Sequence, residues 1–352
     1  MATARIPSHL RKLVVHNITN KFRDAVKTVS VQIPQLGPTD LLVKTRFVGI
    51  NASDINYTAG KYDPKKKPPF DAGFEGVGVV VDMGDACKGF SLGQPVGYMK
   101  YGSFADYVVL SAKTVFPLPE AKAEYVPCLV SGLTAAVSLD KVGEIKSGET
   151  VLVTAAAGGT GQFAVQLAKN AGCHVIGTCS TDDKVEFLKS IGCDRPVNYK
   201  KENLNEVLKK EYPRGIDVVY ESVGGEMFNI ALGRLALHGR LIVIGFISGY
   251  ETDLGFIPTN LSTLPQRILP KSASVRGFFL FHHYQHFKKH FQNMISLISA
   301  GNLKSIVDNG RHWPTGPFRG LDSVPNAVDY LYSGKSVGKI VVEFPDEEQS
   351  KL

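Results

Sequence analysis

VTAAAGGTGQFAVQLAKNAG, residues 153–172, is the stretch on which the fold turns. An apolar run over 151–155 reads as a strand, a glycine cluster interrupts it, and a helix-period segment begins at once. The spacing A-x-x-G-x-x-G, from Ala155 through Gly158 to Gly161, lets the backbone turn sharply and approach a pyrophosphate, whose charge a helix N-terminus favours. A glycine pattern alone also serves plain strand-to-helix packing. The strand before it and the helix after it are the context in which it binds a dinucleotide.

The same unit repeats downstream. Strand HVIGT, helix TDDKVEFLKSIG, strand RPVNY, helix NLNEVLKKEY, strand IDVVYES, helix EMFNIALGRLA and strand GRLIVIGF precede SASVRGFFLF. Strands alternating with helices predict a parallel, doubly wound α/β sheet. Upstream, to about residue 120, short β-rich runs such as LLVKTRFVGI and GVGVVVDM are punctuated by Gly, Pro and Asp, the texture of a small β-barrel or sandwich. Past about 282 come a helix and then GKIVVEF, which reads as a strand returning to the first domain. The expected division is 1–128 with 282–352, enclosing 129–281.

At 352 residues and 43% apolar content the chain exceeds one ordinary core, so two domains are expected. The net charge of +7 is thin and scattered, densest at Lys65 to Lys67 and at Lys288 and Lys289. It suits anionic small ligands, and no nucleic-acid-reading motif accompanies it. Five cysteines without a C-x-x-C pair fit free thiols in a reducing compartment. No segment has the roughly 18 uninterrupted apolar residues of a membrane span. The ending Ser350-Lys351-Leu352 reads as a peroxisomal address, so the peroxisome and its import receptor are the expected location and partner.

The end of the second strand selects the dinucleotide. An NAD site places an acid there for the ribose hydroxyls. This chain has Thr178-Cys179-Ser180 instead, with Lys184 one helical turn further on. Ser180 donates to a 2′-phosphate and Lys184 supplies a cation, so NADPH is the expected cofactor. Capping of the next helix by Ser180 or Thr181 is compatible with that role.

The segments FVGINASDINYTAGKYDP, KPPFDAGFEGVG, VTAAAGGTGQFAVQLAK, HVIGTCSTDDK, CDRPVNYK, DVVYESVGG, GRLIVIGFISGY, KSASVRGFF and GKIVVE together resemble the medium-chain dehydrogenase/reductase superfamily over nearly the full length, and within it the prostaglandin reductases. The resemblance implies a Rossmann domain inserted in a GroES-like β-rich catalytic domain. It also implies cofactor contacts from Thr134, Gly158, Gly159, Thr160, Gly161, Gln162, Ser180, Lys184, Tyr199, Ser222, Val223, Gly245, Phe246, Ile247, Phe278, Phe279 and Leu280. At Ser336, where relatives often have Asn, the shorter side chain weakens the carry-over.

Zinc-dependent relatives carry Gly-His-Glu where this chain has Gly73-Phe74-Glu75. Asn51 stands in place of a ligating cysteine and Val130 in place of the third ligand, and neither Phe nor Val offers zinc a donor. Glu75 is expected to be structural, pairing with a nearby base. Without a Lewis acid, an isolated carbonyl is a poor hydride acceptor. A conjugated double bond takes hydride at its far carbon, giving an enolate that ordinary donors stabilise. The implied activity is therefore an NADPH-dependent reduction of lipid enones, with 15-oxo-prostaglandins and their 13,14 double bond as the substrate class. Quinone reductase, enoyl-thioester reductase and non-catalytic NADPH-binding protein are the rivals. Tyr250 is the expected enolate or proton donor, with Asn51, Ser53 and Tyr57 orienting, although related quinone reductases place a tyrosine at the position of Asn56. Simple packing at a domain edge is the competing reading for each phenol. His282, His286 and His290 share a helix face, but neighbouring lysines and the lack of a carboxylate argue against a metal. An edge strand near SASVRGFFLF is the place where two subunits would pair.

Overall fold

The computed structural model describes residues 6–259 and 261–345. Ser350, Lys351 and Leu352 lie outside the described residues. The chain divides into two compact units, Met1–Val130 with Val307–Leu352, and Ser131–Ile306.

In the second unit six parallel strands lie in the order Arg195–Asn198, His174–Cys179, Thr150–Val153, Ile216–Glu221, Leu235–Val243 and Ser274–Gly277. Sequential numbering makes this 3-2-1-4-5-6, the doubly wound arrangement whose switch point lies between the first and fourth strands. Helices cover both faces of such a sheet, so its strands read as apolar runs: Val151, Leu152, Val153, Val218, Val219 and Tyr220 are all fully buried. The helix Gly161–Asn170 packs so closely that a Cβ on Gly161 would sit 2.5 Å from the Ala155 carbonyl oxygen and 2.7 Å from Ala156 Cα.

This unit runs on to Ile306, past the boundary near 281 that the sequence suggests, and takes in the helix Phe287–Ser299. The reason is a ladder of side-chain amides along one face of Gly161–Asn170. Gln162 bonds the Ile306 amide and carbonyl (both 2.9 Å), Gln166 those of Lys304 (2.7 and 2.9 Å), and Asn170 the Asn302 carbonyl (3.2 Å). Three amides spaced four apart share one helical face. They replace the missing ladder partners of an irregular segment.

The first unit is β-rich. The long strand Asp40–Gly49 is its spine, pairing antiparallel with Glu75–Met83, with Tyr107–Ser111 and with Lys339–Glu343. Strand Lys339–Glu343 thus returns to the first unit, in the register Val341 to Gly49 and Val342 to Val48. A smaller sheet joins His9–Val15 to Val26–Gln32 and Phe70–Asp71. One core of this unit gathers Phe22, Phe70, Phe74, Phe104, Phe318 and Tyr330, drawing on both ends of the chain.

The turn DAGFEG needs its glycines for different reasons. Gly73 has φ +94°, and a Cβ there would lie 2.6 Å from the Phe104 amide nitrogen. Gly76, in a strand, faces the Tyr98 hydroxyl at 2.5 Å from its missing Cβ. Between them the backbone delivers Phe74 and Glu75 into the interior, where both are buried.

Candidate active site

In the second unit several of the expected cofactor residues follow the carboxyl ends of the sheet's strands. Ser180 and Tyr199 follow neighbouring strands paired at Cys179 and Asn198, and the Tyr199 amide donates to the Cys179 carbonyl at 3.1 Å. Thr181, rather than Ser180, caps the helix Asp182–Ser190, leaving the Ser180 hydroxyl outside that role; Lys184 sits in the helix's first turn. Asp182 is turned to Asn198 (2.9 Å) and Lys201, which holds its carboxyl below the usual range. The Ser222 amide donates to Thr154 Oγ1 (2.8 Å), and the Ile247 amide to the Ser222 carbonyl (3.1 Å). These bonds set residues 222–223 and 245–247 beside the loop 155–161, at the carboxyl ends of strands where doubly wound sheets bind their ligands.

Thr160 at the start of Gly161–Asn170 makes no side-chain cap. Its hydroxyl is engaged by Tyr220 Oη (2.6 Å) and the Ser131 carbonyl (3.0 Å), which ties the loop to the helix Val130–Lys141 that carries Thr134. A helix start without a side-chain cap, opening at a glycine whose position excludes a Cβ, fits a pyrophosphate. Gln162 departs from the expectation. Its side chain is fully buried on Ile306 and its amide donates to the Gly158 carbonyl (3.1 Å), so its place is structural. Phe278 and Leu280 are buried, whereas Phe246 and Phe279 are exposed. Ser336 belongs to the other unit, in the irregular segment before Lys339–Glu343.

Tyr250 is buried, and its oxygen accepts a hydrogen bond from the Phe246 amide at 3.2 Å. Burial raises its phenol above the ordinary value, so it stays protonated and retains its own proton for donation.

The first unit holds a buried charged centre around Glu75. Oε1 accepts from Lys339 Nζ (2.6 Å) and Asn51 Nδ2 (2.9 Å), while Oε2 accepts from the Val130 amide (2.7 Å). Lys339 Nζ also donates to Asn51 Oδ1 at 2.6 Å. Glu75 is 0% and Lys339 2% exposed. Gly49 makes room: a Cβ there would run into Glu75 Oε1, Lys339 Cε and Val126 Cγ1.

Zinc does not fit these residues. The Asn51 and Glu75 oxygens already receive an ammonium, Phe74 presents a ring, and Val130 contributes its amide proton. Among the described residues no group of three or more His, Cys, Asp or Glu side chains is arranged for a metal. The histidines instead meet other rings: His283 stacks on Phe278 (4.9 Å), and His286 meets His290 edge-on (6.4 Å). No local pattern points to Lys339: 288 residues separate it from Asn51, and its only mark is a lysine heading the strand KIVVE.

Asp54 lies beneath this centre. Its Oδ2 accepts from the Asn51 amide (2.8 Å), while its buried Oδ1 has no hydrogen-bond partner among the described residues. Burial pushes its carboxyl up to about 8, against the opposing Asn51 amide and Lys339, with Glu75 adding to the rise. The folded state therefore binds a proton that the unfolded state has released, so stability falls as pH rises from about 4 to about 8. Asp54→Asn is expected to flatten that fall in urea unfolding between pH 5 and 8. An undiminished slope would mean that another group titrates.

Ser53 opens the short helix Ser53–Thr58 and is half-buried; Tyr57 on the same helix is buried, its oxygen accepting from Lys66 Nζ at 2.6 Å. No described helix is long and apolar enough to cross a membrane.

Comparison with known proteins gives concordant matches. Residues 37–120 match the family model "Alcohol dehydrogenase GroES-like domain", and residues 159–300 match "Zinc-binding dehydrogenase". The chain is 55% identical over 349 residues to prostaglandin reductase-3 of Mus musculus, covering 99% of this chain and 93% of that protein. It is 32% identical to a 2-alkenal reductase (NADP(+)-dependent) of Nicotiana tabacum, over 90% of each. In structure it is similar to Escherichia coli quinone oxidoreductase complexed with NADPH, with TM-score 0.82, 26% identity, and coverage of 95% of this chain and 99% of that one.

Proposed function

Since the chain belongs to the medium-chain dehydrogenase/reductase superfamily, combining a GroES-like with a Rossmann domain, we propose that it is an NADPH-dependent reductase of conjugated enones, acting on 15-oxo-prostaglandin-type lipids at the 13,14 double bond. The observation that carries this reading is the Lys339 ammonium seated on Glu75 and Asn51. A fixed organic cation in that donor set leaves nothing to polarise a plain carbonyl as a Lewis acid does, and so favours acceptors activated by their own conjugation.

The loop 155–161 would hold the pyrophosphate of NADPH, and Ser180, Lys184 and Tyr199 its 2′-phosphate. With the cofactor so held, its nicotinamide would supply a hydride. Tyr250 offers the phenolic proton for the enolate oxygen, while Asn51, fixed by Lys339 and Glu75, keeps the start of helix Ser53–Thr58 in place.

The test is NADPH oxidation with an enone, a quinone, an enoyl-CoA and a saturated aldehyde, each with and without chelator. Enone turnover indifferent to chelation is expected. Aldehyde turnover lost on chelation would overturn the reading, and preference for the quinone would favour the activity named for the Escherichia coli relative. Lys184→Ala is expected to weaken NADPH by about 1–3 kcal/mol, the worth of a charge-assisted bond, and NADH far less. Equal losses in titrations of the two would remove Lys184 from the phosphate.

Two readings rest on the sequence. Ser350-Lys351-Leu352 supports peroxisomal import, checked by whether a fluorescent fusion changes location when the three residues are deleted. The edge position of Ser274–Gly277 supports a homodimer paired there; a monomeric mass by light scattering would exclude it.

A further inference from the structure

Lys66 lies between two exposed lysines, Lys65 and Lys67, yet is itself half-buried. Its Nζ is 4.9 Å from the ring centroids of Tyr57 and Phe70 and 5.4 Å from that of Tyr101, and it donates to Tyr57 Oη at 2.6 Å. The rings are packed on each other: Tyr57 stacks on Tyr101 (4.8 Å, 18°) and meets Phe70 and Phe74 edge-on (5.1 and 5.3 Å). Ring faces and a neutral phenol attract an ammonium without neutralising it. Among the described residues no carboxylate stands within ion-pair distance of Lys66; Asp71, the acid at the base of this cluster, is paired with Lys12 at 2.8 Å. A lysine drawn out of water in this way is normally answered by a counter-ion.

Chemistry identifies what would answer it. An ammonium has three donors, of which Tyr57 takes one. Tyr101 is 40% exposed, so the cluster opens to solvent on that side. The site thus presents a cation beside flat apolar surface, which suits an anion carried on a hydrocarbon chain. Phe74, the residue before Glu75, is itself one of the rings, touching Tyr101 at 5.4 Å.

We propose that Lys66, with Tyr57, Phe70 and Tyr101, receives the carboxylate end of an acidic enone substrate and sets the enzyme's preference for acids over neutral enones. This rests on the enone reductase reading and adds the residue that selects the substrate. Burial pushes the Tyr57 phenol up to about 12, with Asp71 and Asp63 adding, so at neutral pH it is an uncharged neighbour that does not compete for the ammonium.

The experiment compares kcat/KM for a long-chain keto-enoic acid, its methyl ester and an enoyl-CoA in wild type, Lys66→Met and Lys66→Arg. The acid-to-ester ratio is expected to fall tenfold or more in Lys66→Met, through KM, and to be largely kept in Lys66→Arg, because the charged hydrogen bond is lost only in the first. Equal changes for acid and ester would show a purely structural role and overturn the proposal. A loss confined to the enoyl-CoA would assign the cation to a phosphate and overturn it as well. Calorimetric binding of the saturated keto acid, which needs no turnover, separates the two levels. Lys66-dependent binding with no reduction of any enone keeps the site and removes the proposed activity, whereas enone reduction with Lys66-independent binding does the reverse.

Discussion

Lys339→Met is expected to destabilise the protein by about 3–5 kcal/mol, the range seen when one partner of a buried ion pair is removed. The cost arises because Glu75, fully buried, would keep only the Asn51 and Val130 donors while its charge went unanswered. Asn51 Oδ1 would lose its partner in the same step. Glu75→Gln combined with Lys339→Met is expected to recover most of the loss, since a neutral amide can keep polar contacts without a buried charge. Chemical denaturation of the single and double variants reads the difference. If the double variant is no more stable than Lys339→Met, the charge is not the origin of the cost. The pair's tolerance of burial follows from its geometry: each Glu75 oxygen has a donor within 2.9 Å, so desolvation is offset by a saturated set of bonds.

Gly161→Ala is the second large effect expected. The added methyl would lie 2.5 Å from the Ala155 carbonyl oxygen and 2.7 Å from Ala156 Cα, both backbone atoms that cannot swing aside. Relief requires the helix Gly161–Asn170 to move off the strand, at about 1–3 kcal/mol, which converts to roughly 5- to 150-fold in NADPH affinity if the strain is relieved on losing the cofactor's loop geometry. The movement would also pull Gln162 from Ile306. Gly277→Ala is the control, because nothing lies within 4 Å of its missing Cβ. Fluorescence titration with NADPH compares the two. Similar affinities for both variants would contradict the cradle assigned to residues 155–161.

These two positions differ in how visible they were. Gly161 belongs to a motif in which strand, turn and helix are contiguous, so spacing and composition reveal it directly. Lys339 acts on residues 264 and 288 positions away in the chain, as the numbering of Glu75 and Asn51 shows. Its burial is decided by strand pairing between Lys339–Glu343 and Asp40–Gly49, which no local pattern announces. The amide ladder from Gln162, Gln166 and Asn170 was hidden for a related reason: polar side chains at helical spacing read as a solvated face. Here 144 and 138 residues separate Gln162 and Gln166 from their partners. Lys66 is hidden in another way, since the run Lys65 to Lys67 gives no hint that its middle member alone turns onto three rings.

The doubly wound sheet, the glycine turn between its first strand and helix, and the unsuitability of Phe74 and Val130 as metal ligands were legible in the chain's order of residues. All of these are set by local periodicity or by what a side chain can chemically do. That Glu75 answers to Lys339, that the second unit extends to Ile306, and that Lys66 is half-buried against three rings emerged only from the folded chain. Each of those depends on which distant segments meet, and burial, which gives a charge or an amide its energetic weight, exists only once they have met.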